Sequence, residues 1–230
     1  MKNIAIITAR SGSKGIKDKN IKELNGIPLI AYTIKAAIAS NMFEEVMVST
    51  DSEEYAKISK KYGANVPFLR SKETSTDTAG SWDVVKEVLS NYANQGIFFD
   101  TICLLQPTSP LRISQDIIEG YSLYEEKCAN AITSVCEMEH SPLWAMTLDK
   151  SLSLQEYRLN QNNNFPRQQL PRFYRINGAL YIRRIKYSKN GVCFYHGNEF
   201  ALIMDRKRSV DIDTEDDFKY AEFLIKNIIV

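Results

Sequence analysis

Three observations predict an α/β domain built on a mainly parallel sheet flanked by helices. The first half of the chain alternates short β-branched runs with longer amphipathic segments, the pattern of strands joined by covering helices. The second half has strand-like runs without intervening helices, which implies antiparallel pairs there. At 230 residues and 44% hydrophobic content, the chain can bury a substantial core.

Taken in order, residues 4–8 read as a first strand, followed by a glycine- and cation-rich loop. Residues 28–40 form a helix that opens on Pro28, a residue suited to a first turn. A strand over 46–49 leads to a helix over 53–62, which Asp51 or Ser52 can cap. Strands are expected over 66–69 and 101–105. Between them, residues 81–92 place Trp82, Val85, Val88, Leu89 and Tyr92 on one helical face; after the second, Ser114 precedes Ile117, Ile118, Tyr121 and Tyr124 at the same period. Strands follow over 131–135, 143–148 and 179–182, with the polar, asparagine-rich stretch 159–175 read as an arm or loop. Thr214, then Glu215, Asp216 and Asp217, open a last helix with Phe218, Ala221, Leu224, Ile225 and Ile228 on one face.

Composition narrows the partners. The 29 basic and 28 acidic residues nearly cancel, so no bulk field draws the chain to nucleic acid or to an anionic membrane, and any phosphate affinity must be local. The apolar run in "MKNIAIITAR" is too short to span a bilayer and lacks a small-residue cleavage site. Cys103, Cys128, Cys136 and Cys193 show no paired spacing, which suits a reducing cytoplasm. With only His140 and His196 as histidines, metal chemistry would need carboxylates.

Three stretches carry chemistry. In "IAIITARSGSKGIKDKN", residues 4–20, a strand delivers Arg10, Lys14, Lys17 and Lys19 to one loop, and Gly12 and Gly15 leave room for backbone N–H groups to approach an anion. The spacing is neither that of a P-loop nor that of a dinucleotide fingerprint, and taken alone the loop reads equally well as a solvated turn. In "DIDTEDD", Asp211 and Asp213 stand two residues apart, so an extended segment points both toward one side, as an oxygen-preferring cation such as magnesium requires. Helix capping accounts for Glu215, Asp216 and Asp217 but not for the two aspartates upstream. "LLQPTSPLR" brings Gln106, Thr108, Ser109 and Arg112 to the carboxyl edge of the sheet, where ligands of α/β folds bind.

With "VSTDS", "LRSKETSTDTAGS", "PRQQLP" and "RINGALYI", these stretches run in an order that resembles the acylneuraminate cytidylyltransferases, the CMP-sialic acid synthetases and their nonulosonic-acid relatives. The resemblance implies a Rossmann-like sheet and a single cytidylyltransferase domain over residues 1–230, with 137–175 as a small β-rich dimerisation extension. It implies a reaction of CTP with a 2-keto nine-carbon sugar acid to give the CMP-sugar and pyrophosphate. Arg10, Lys14 and Lys19 would hold the triphosphate, Ala9, Asn20, Arg70 and Ser81 would meet the nucleotide, and Lys17 has no assignment. Gln106, Tyr181 and Phe194 would meet the sugar, although core packing also explains the two aromatic residues. Asp211 and Asp213 would bind Mg2+, as their spacing suggests independently, and Arg167 would reach the sugar carboxylate in the partner subunit's site of a homodimer. One departure stands out: in "HSPLW", Trp144 occupies a position where sialic acid synthetases often have lysine. An aromatic face there suits a sugar with an apolar substituent, such as legionaminic or pseudaminic acid; packing in a dimer interface is the other reading. Two further functions stand beside it: the same reaction on another sugar acid, 3-deoxy-octulosonic acid included, which would differ at the sugar pocket around Trp144, Gln106 and Arg167, and a nucleotide-binding module without catalysis, which leaves the paired aspartates without a task.

Overall fold

The computed structural model describes residues 1–12, 15–154 and 170–227. In chain order the elements are β1 (Asn3–Thr8), β2 (Glu23–Leu24), β3 (Ile27–Pro28), α1 (Leu29–Ala39), β4 (Glu45–Ser49), α2 (Glu53–Lys61) and α3 (Ser81–Asn94). They continue with β5 (Thr101–Leu105), α4 (Ser114–Glu126), β6 (Ala131–Glu137), β7 (Tyr174–Ser188), β8 (Gly191–Phe194), β9 (Glu199–Ile203) and α5 (Glu215–Asn227). The described residues form a main sheet in the order β4-β1-β5-β7-β6-β9, with β8 paired to β7. β1 runs parallel to β4 and β5, and β6 parallel to β9, while β7 is antiparallel to β5, β6 and β8. The sheet is therefore mainly parallel, with β7 reversed.

Alternation along β1 explains the layering. Ala5 and Ile7 face a core shared with Ile30, Ile34 and Tyr121 of α1 and α4, whereas Ile4 and Ile6 face Val85, Val88 and Leu89 of α3. Both faces are covered, which is why the strand reads as an unbroken apolar run. A third, smaller cluster joins Ile16 of the opening loop to Ile212, Phe218 and Ala221, docking α5 under that loop. Among the described residues no helix is long and apolar enough to cross a membrane.

The expected elements differ from the observed ones in four places. Residues 66–69 form no strand: Asn65 makes a single bridge to Met47, and Pro67 has no N–H to continue the pairing. Residues 143–148 are not a strand either. Ser141 Oγ accepts from Leu143 N and caps a short 3-10 turn, Pro142–Trp144, and the apolar side chains beyond it, Met146 and Leu148, point outward. The strand expected over 179–182 is the middle of the longer β7, which begins inside the stretch read as an arm. β8 and β9 had no clear signal, and β9 joins β6 in parallel rather than antiparallel register. Ser52, rather than Asp51, caps α2 by accepting from Tyr55 N.

Candidate active site

A cleft of about 500 Å³ opens at the carboxyl ends of β1 and β5. Its walls come from widely separated parts of the chain: the opening loop, the segment around Arg70 and Ser81, the loop after β5, and the segment before α5.

The opening loop is fixed from below. Ser11 donates to Asp51 through its backbone N–H and its hydroxyl, both at 2.8 Å, tying the loop to the end of β4. The buried Asn20 donates from Nδ2 to the Arg10 carbonyl at 3.1 Å, folding the loop back on itself. Lys19 Nζ reaches across to the Ile212 carbonyl at 2.6 Å and to Asp213 Oδ1 at 3.1 Å. Gly15 lies so close to this segment that a Cβ on it would sit 2.7 Å from the Asp213 carbonyl oxygen. The glycine thus serves the junction between the two ends of the chain as well as any anion. Arg10 Nη1 is paired with Asp77 Oδ1 at 2.8 Å. Lys17 is exposed.

Arg70 donates from Nη2 to the Ser49 carbonyl at 2.6 Å and from Nε to Ser49 Oγ at 3.1 Å, with its chain beside the cleft. Burial pushes its guanidinium down to about 10, against the opposing charges of Asp51 and Glu87, so it remains cationic at neutral pH. Ser81 opens α3 and lines the same wall, and Gln106 stands opposite, directly after β5.

Asp211 and Asp213 both line the cleft. Asp213 is exposed, whereas Asp211 Oδ1 is buried without a hydrogen-bond partner. Burial, with the Asp213 charge adding to it, raises the Asp211 carboxyl above its ordinary value, while a hydrogen bond with the Thr108 side chain and the charges of Lys19 and Arg175 act the other way. The described residues hold no cluster of three or more histidine, cysteine or acidic side chains suited to a metal. Magnesium, however, needs only one or two protein carboxylates when phosphate oxygens and water complete its shell. A pair of carboxylates with one orphaned buried oxygen, facing a cation-lined cleft, fits that ion.

The structure therefore brings Arg10, Lys19, Asn20, Arg70, Ser81, Gln106, Asp211 and Asp213 to one cleft. Other expected residues are held in different surroundings. Ala9 is fully buried, its N–H bonded to the Ser49 carbonyl at 2.9 Å. Tyr181 and Phe194 pack edge-on against Trp82, the residue after Ser81, with ring centroids 6.1 and 5.1 Å away, and the charge of Asp211 reaches the Tyr181 hydroxyl. Phe194 lines a separate cavity of about 300 Å³ with Arg183 and Glu199. Ser109 and Arg112, expected at the sheet edge, are buried beneath it, because the loop after β5 turns inward into α4. Trp144 stays 38% exposed on its short turn. Lys14 and Arg167 lie outside the described residues. Sequence reasoning passed over Asp77, took Asp51 only as a possible helix cap rather than as the anchor of Ser11, and gave Thr108 no partner; the Thr108 carbonyl accepts from Ile212 N at 2.8 Å.

Comparison with known proteins bears on the family and the fold. The cytidylyltransferase family profile matches residues 4–227. The chain is 35% identical over 227 residues to a CMP-N,N'-diacetyllegionaminic acid synthase of Legionella pneumophila, covering 98% of this chain and 97% of that protein. It is 40% identical over 222 residues to an N-acylneuraminate cytidylyltransferase of Escherichia coli, covering 96% of this chain but spanning only 51% of that protein's length. In fold it is similar to a CMP:2-keto-3-deoxy-manno-octonic acid synthetase solved with CTP, at a TM-score of 0.70 and 14% identity, covering 98% of this chain and 99% of that one.

Proposed function

Since the chain belongs to the cytidylyltransferase family, we propose that it transfers the cytidylyl group of CTP to the anomeric hydroxyl of a nonulosonic acid, releasing pyrophosphate. The observation that carries this reading is the closure of the loop bearing Arg10 and Lys19 onto Asp211 and Asp213 around one cleft.

The chemical difficulty is attack by a weakly nucleophilic hydroxyl on a phosphorus shielded by negative oxygens. Arg10, Lys14 and Lys19 would hold the triphosphate and stabilise the charge that develops on departing pyrophosphate, a preorganised contribution that needs no protein nucleophile, with Arg70 beside the nucleotide. Asn20 and Ser81 would orient the nucleotide, and Gln106 the sugar. Asp211 and Asp213 would hold magnesium, whose chemistry when bound is to neutralise phosphate charge and lower the pKa of the attacking hydroxyl. Tyr181 and Phe194 would back the sugar through Trp82 rather than face the phosphates.

A homodimer completes the proposal. Leu143, Trp144, Met146 and Leu148, with Ile176 and Ile203, expose apolar side chains at and beside the 137–175 extension, the kind of surface a partner subunit covers. Arg167 of one protomer would then reach the sugar carboxylate of its partner's site. In such a dimer Trp144 would either pack against the partner or present its aromatic face to a sugar acid with an apolar substituent, such as legionaminic or pseudaminic acid. The test is pyrophosphate release from CTP and Mg2+ across a panel of sugar acids. Release with a diacetylated nonulosonic acid above all others supports the reading; no release with any acid refutes transfer.

A further inference from the structure

The segment that carries Asp211 is anchored on both sides. For two carboxylates to share one cation, the backbone that presents them must be fixed. On the far side the anchors are Ile212 N, which donates to the Thr108 carbonyl at 2.8 Å, and the Ile212 carbonyl, which accepts from Lys19 at 2.6 Å. On the near side, three residues before Asp211, stands Arg208. Its Nε lies 3.2 Å from both carboxylate oxygens of Asp116 and its Nη2 lies 3.0 Å from Oδ1. Asp116 belongs to the first turn of α4 and its side chain is only 2% exposed; its Oδ2 also accepts the Ile113 N–H at 3.0 Å, closing the start of the helix. That bond caps the helix through Oδ2, while the buried Oδ1 takes its charge partner from an arginine 92 residues downstream.

The fork therefore does more than neutralise a buried carboxylate, because its arginine comes from the segment that carries the paired aspartates. Asp116 terminates the loop 106–113, which presents Gln106 and Thr108, while Arg208 leads into Asp211 and Asp213. A bidentate arginine–carboxylate pair fixes direction as well as distance, and three residues reach at most about 10 Å, so a displaced guanidinium carries the aspartates with it. Ser209 reinforces the same anchor: its hydroxyl donates to the Asp205 carbonyl at 2.8 Å and accepts from the buried Asn177 Nδ2 at 2.8 Å. We propose that Arg208 and Asp116 are positioning residues, a clamp that sets the metal-binding carboxylates against the loop after β5. The proposal rests on the reading of Asp211 and Asp213 as magnesium ligands.

The test reads metal binding without turnover, using Mn2+ followed by electron paramagnetic resonance in the presence of CTP and no sugar acid. Arg208→Met keeps the apolar stem and removes the fork; Arg208→Lys keeps the charge with a single contact. We expect Arg208→Met to weaken Mn2+ binding about tenfold, as loss of an outer partner of a metal ligand does, and Arg208→Lys to fall between it and the parent. CTP binding in EDTA should fall less than Mn2+ binding does, since the clamp acts on the carboxylates directly and on the cations only through Lys19. Mn2+ affinity unchanged in both variants, with only the melting temperature lowered, would overturn the clamp and leave a structural ion pair. If Arg208→Met does not fold, Arg208→Lys alone decides by the same reading. Asp211→Asn separates the two layers of the argument: loss of Mn2+ binding there with no loss in the Arg208 variants rejects only the clamp. Unchanged binding in Asp211→Asn rejects the ligand assignment, and the clamp with it.

Discussion

Substituting Gly15 by alanine places one methyl group between the two ends of the chain. The new Cβ would stand 2.7 Å from the Asp213 carbonyl oxygen, whereas contacts of this kind essentially never fall below 3.0 Å and become ordinary only from 3.4 Å. The gap must therefore widen by about 0.7 Å to reach ordinary contact. The obstacle is backbone, so no rotamer change relieves it. Neither side yields freely: Asp213 N is bonded to Asp217 Oδ2 at 3.1 Å, the Ile212 carbonyl is held by Lys19, and Ile16 and Ile212 share a buried cluster. Overpacking of this size costs about 1–3 kcal/mol, and a misplacement near 1 Å at a reacting centre costs on the order of a hundredfold. Gly15→Ala should lower kcat by about 10- to 100-fold and the melting temperature by about 2–4 °C for each kcal/mol not absorbed by opening the cleft. Pyrophosphate release and thermal denaturation measure the two parts. Gly12→Ala is the control: Gly12 has φ +75° and nothing within 4 Å of its Cβ position, so alanine there meets backbone strain of about 1–2 kcal/mol but no neighbour. A Gly15→Ala enzyme with unchanged kcat and melting temperature would refute the closeness of this junction.

Lys19→Ala should reduce kcat by about a hundredfold, the loss expected for one preorganised cation; a smaller effect than threefold in a pyrophosphate assay would remove it from the phosphate site. Asp77→Asn should act in the opposite sense, because Asp77 occupies Arg10 before the triphosphate does. The pair is exposed at 30% and 46%, worth about 0.2–1 kcal/mol, so KM for CTP should fall by about 1.4- to 5-fold, and a rise would make Asp77 an orienting group instead. Burial pushes the Asp51 carboxyl up, but the hydrogen bonds from Ser11 outweigh it, and with Arg70 they hold it below its ordinary value. A depressed carboxyl stabilises above its unfolded pKa of about 3.9 and loses that contribution as the pH falls through the folded value. The melting-temperature gap between the parent and Asp51→Asn should accordingly stay constant from neutral pH to about 5 and shrink below 4; a gap independent of pH down to 3 would contradict the assignment. Trp144→Lys should shift the kcat/KM ratio of a diacetylated nonulosonic acid to N-acetylneuraminic acid by about tenfold toward the latter. An unchanged ratio would confine Trp144 to packing.

How much of this was legible in the sequence depends on the range of the interaction responsible. The strand 101–105, the starts of the helices at Glu53 and Ser81, and the last helix after Thr214 follow from periodicity and caps, which are written in adjacent residues. The sheet-edge position of Gln106 and the pairing of Asp211 with Asp213 follow from the same local logic. Residues 66–69 and 143–148 misled it because their apolar patterns suit a strand, yet a strand needs a neighbour, and no local pattern reports that one is missing.

By itself, the sequence determined which residue types were present in quantity and in what local geometry: a cationic, glycine-bearing loop after a buried strand, two aspartates on one side of an extended segment, and a polar loop after another strand. Only the tertiary structure decided that these three meet, that Gly15 lies against the Asp213 backbone, that Arg112 is buried rather than presented, and that Asp116 holds Arg208. Each of those facts rests on contacts between residues far apart along the chain. Their existence is set by how helices pack on both faces of the sheet, and packing is a property of the whole chain, not of any segment read alone.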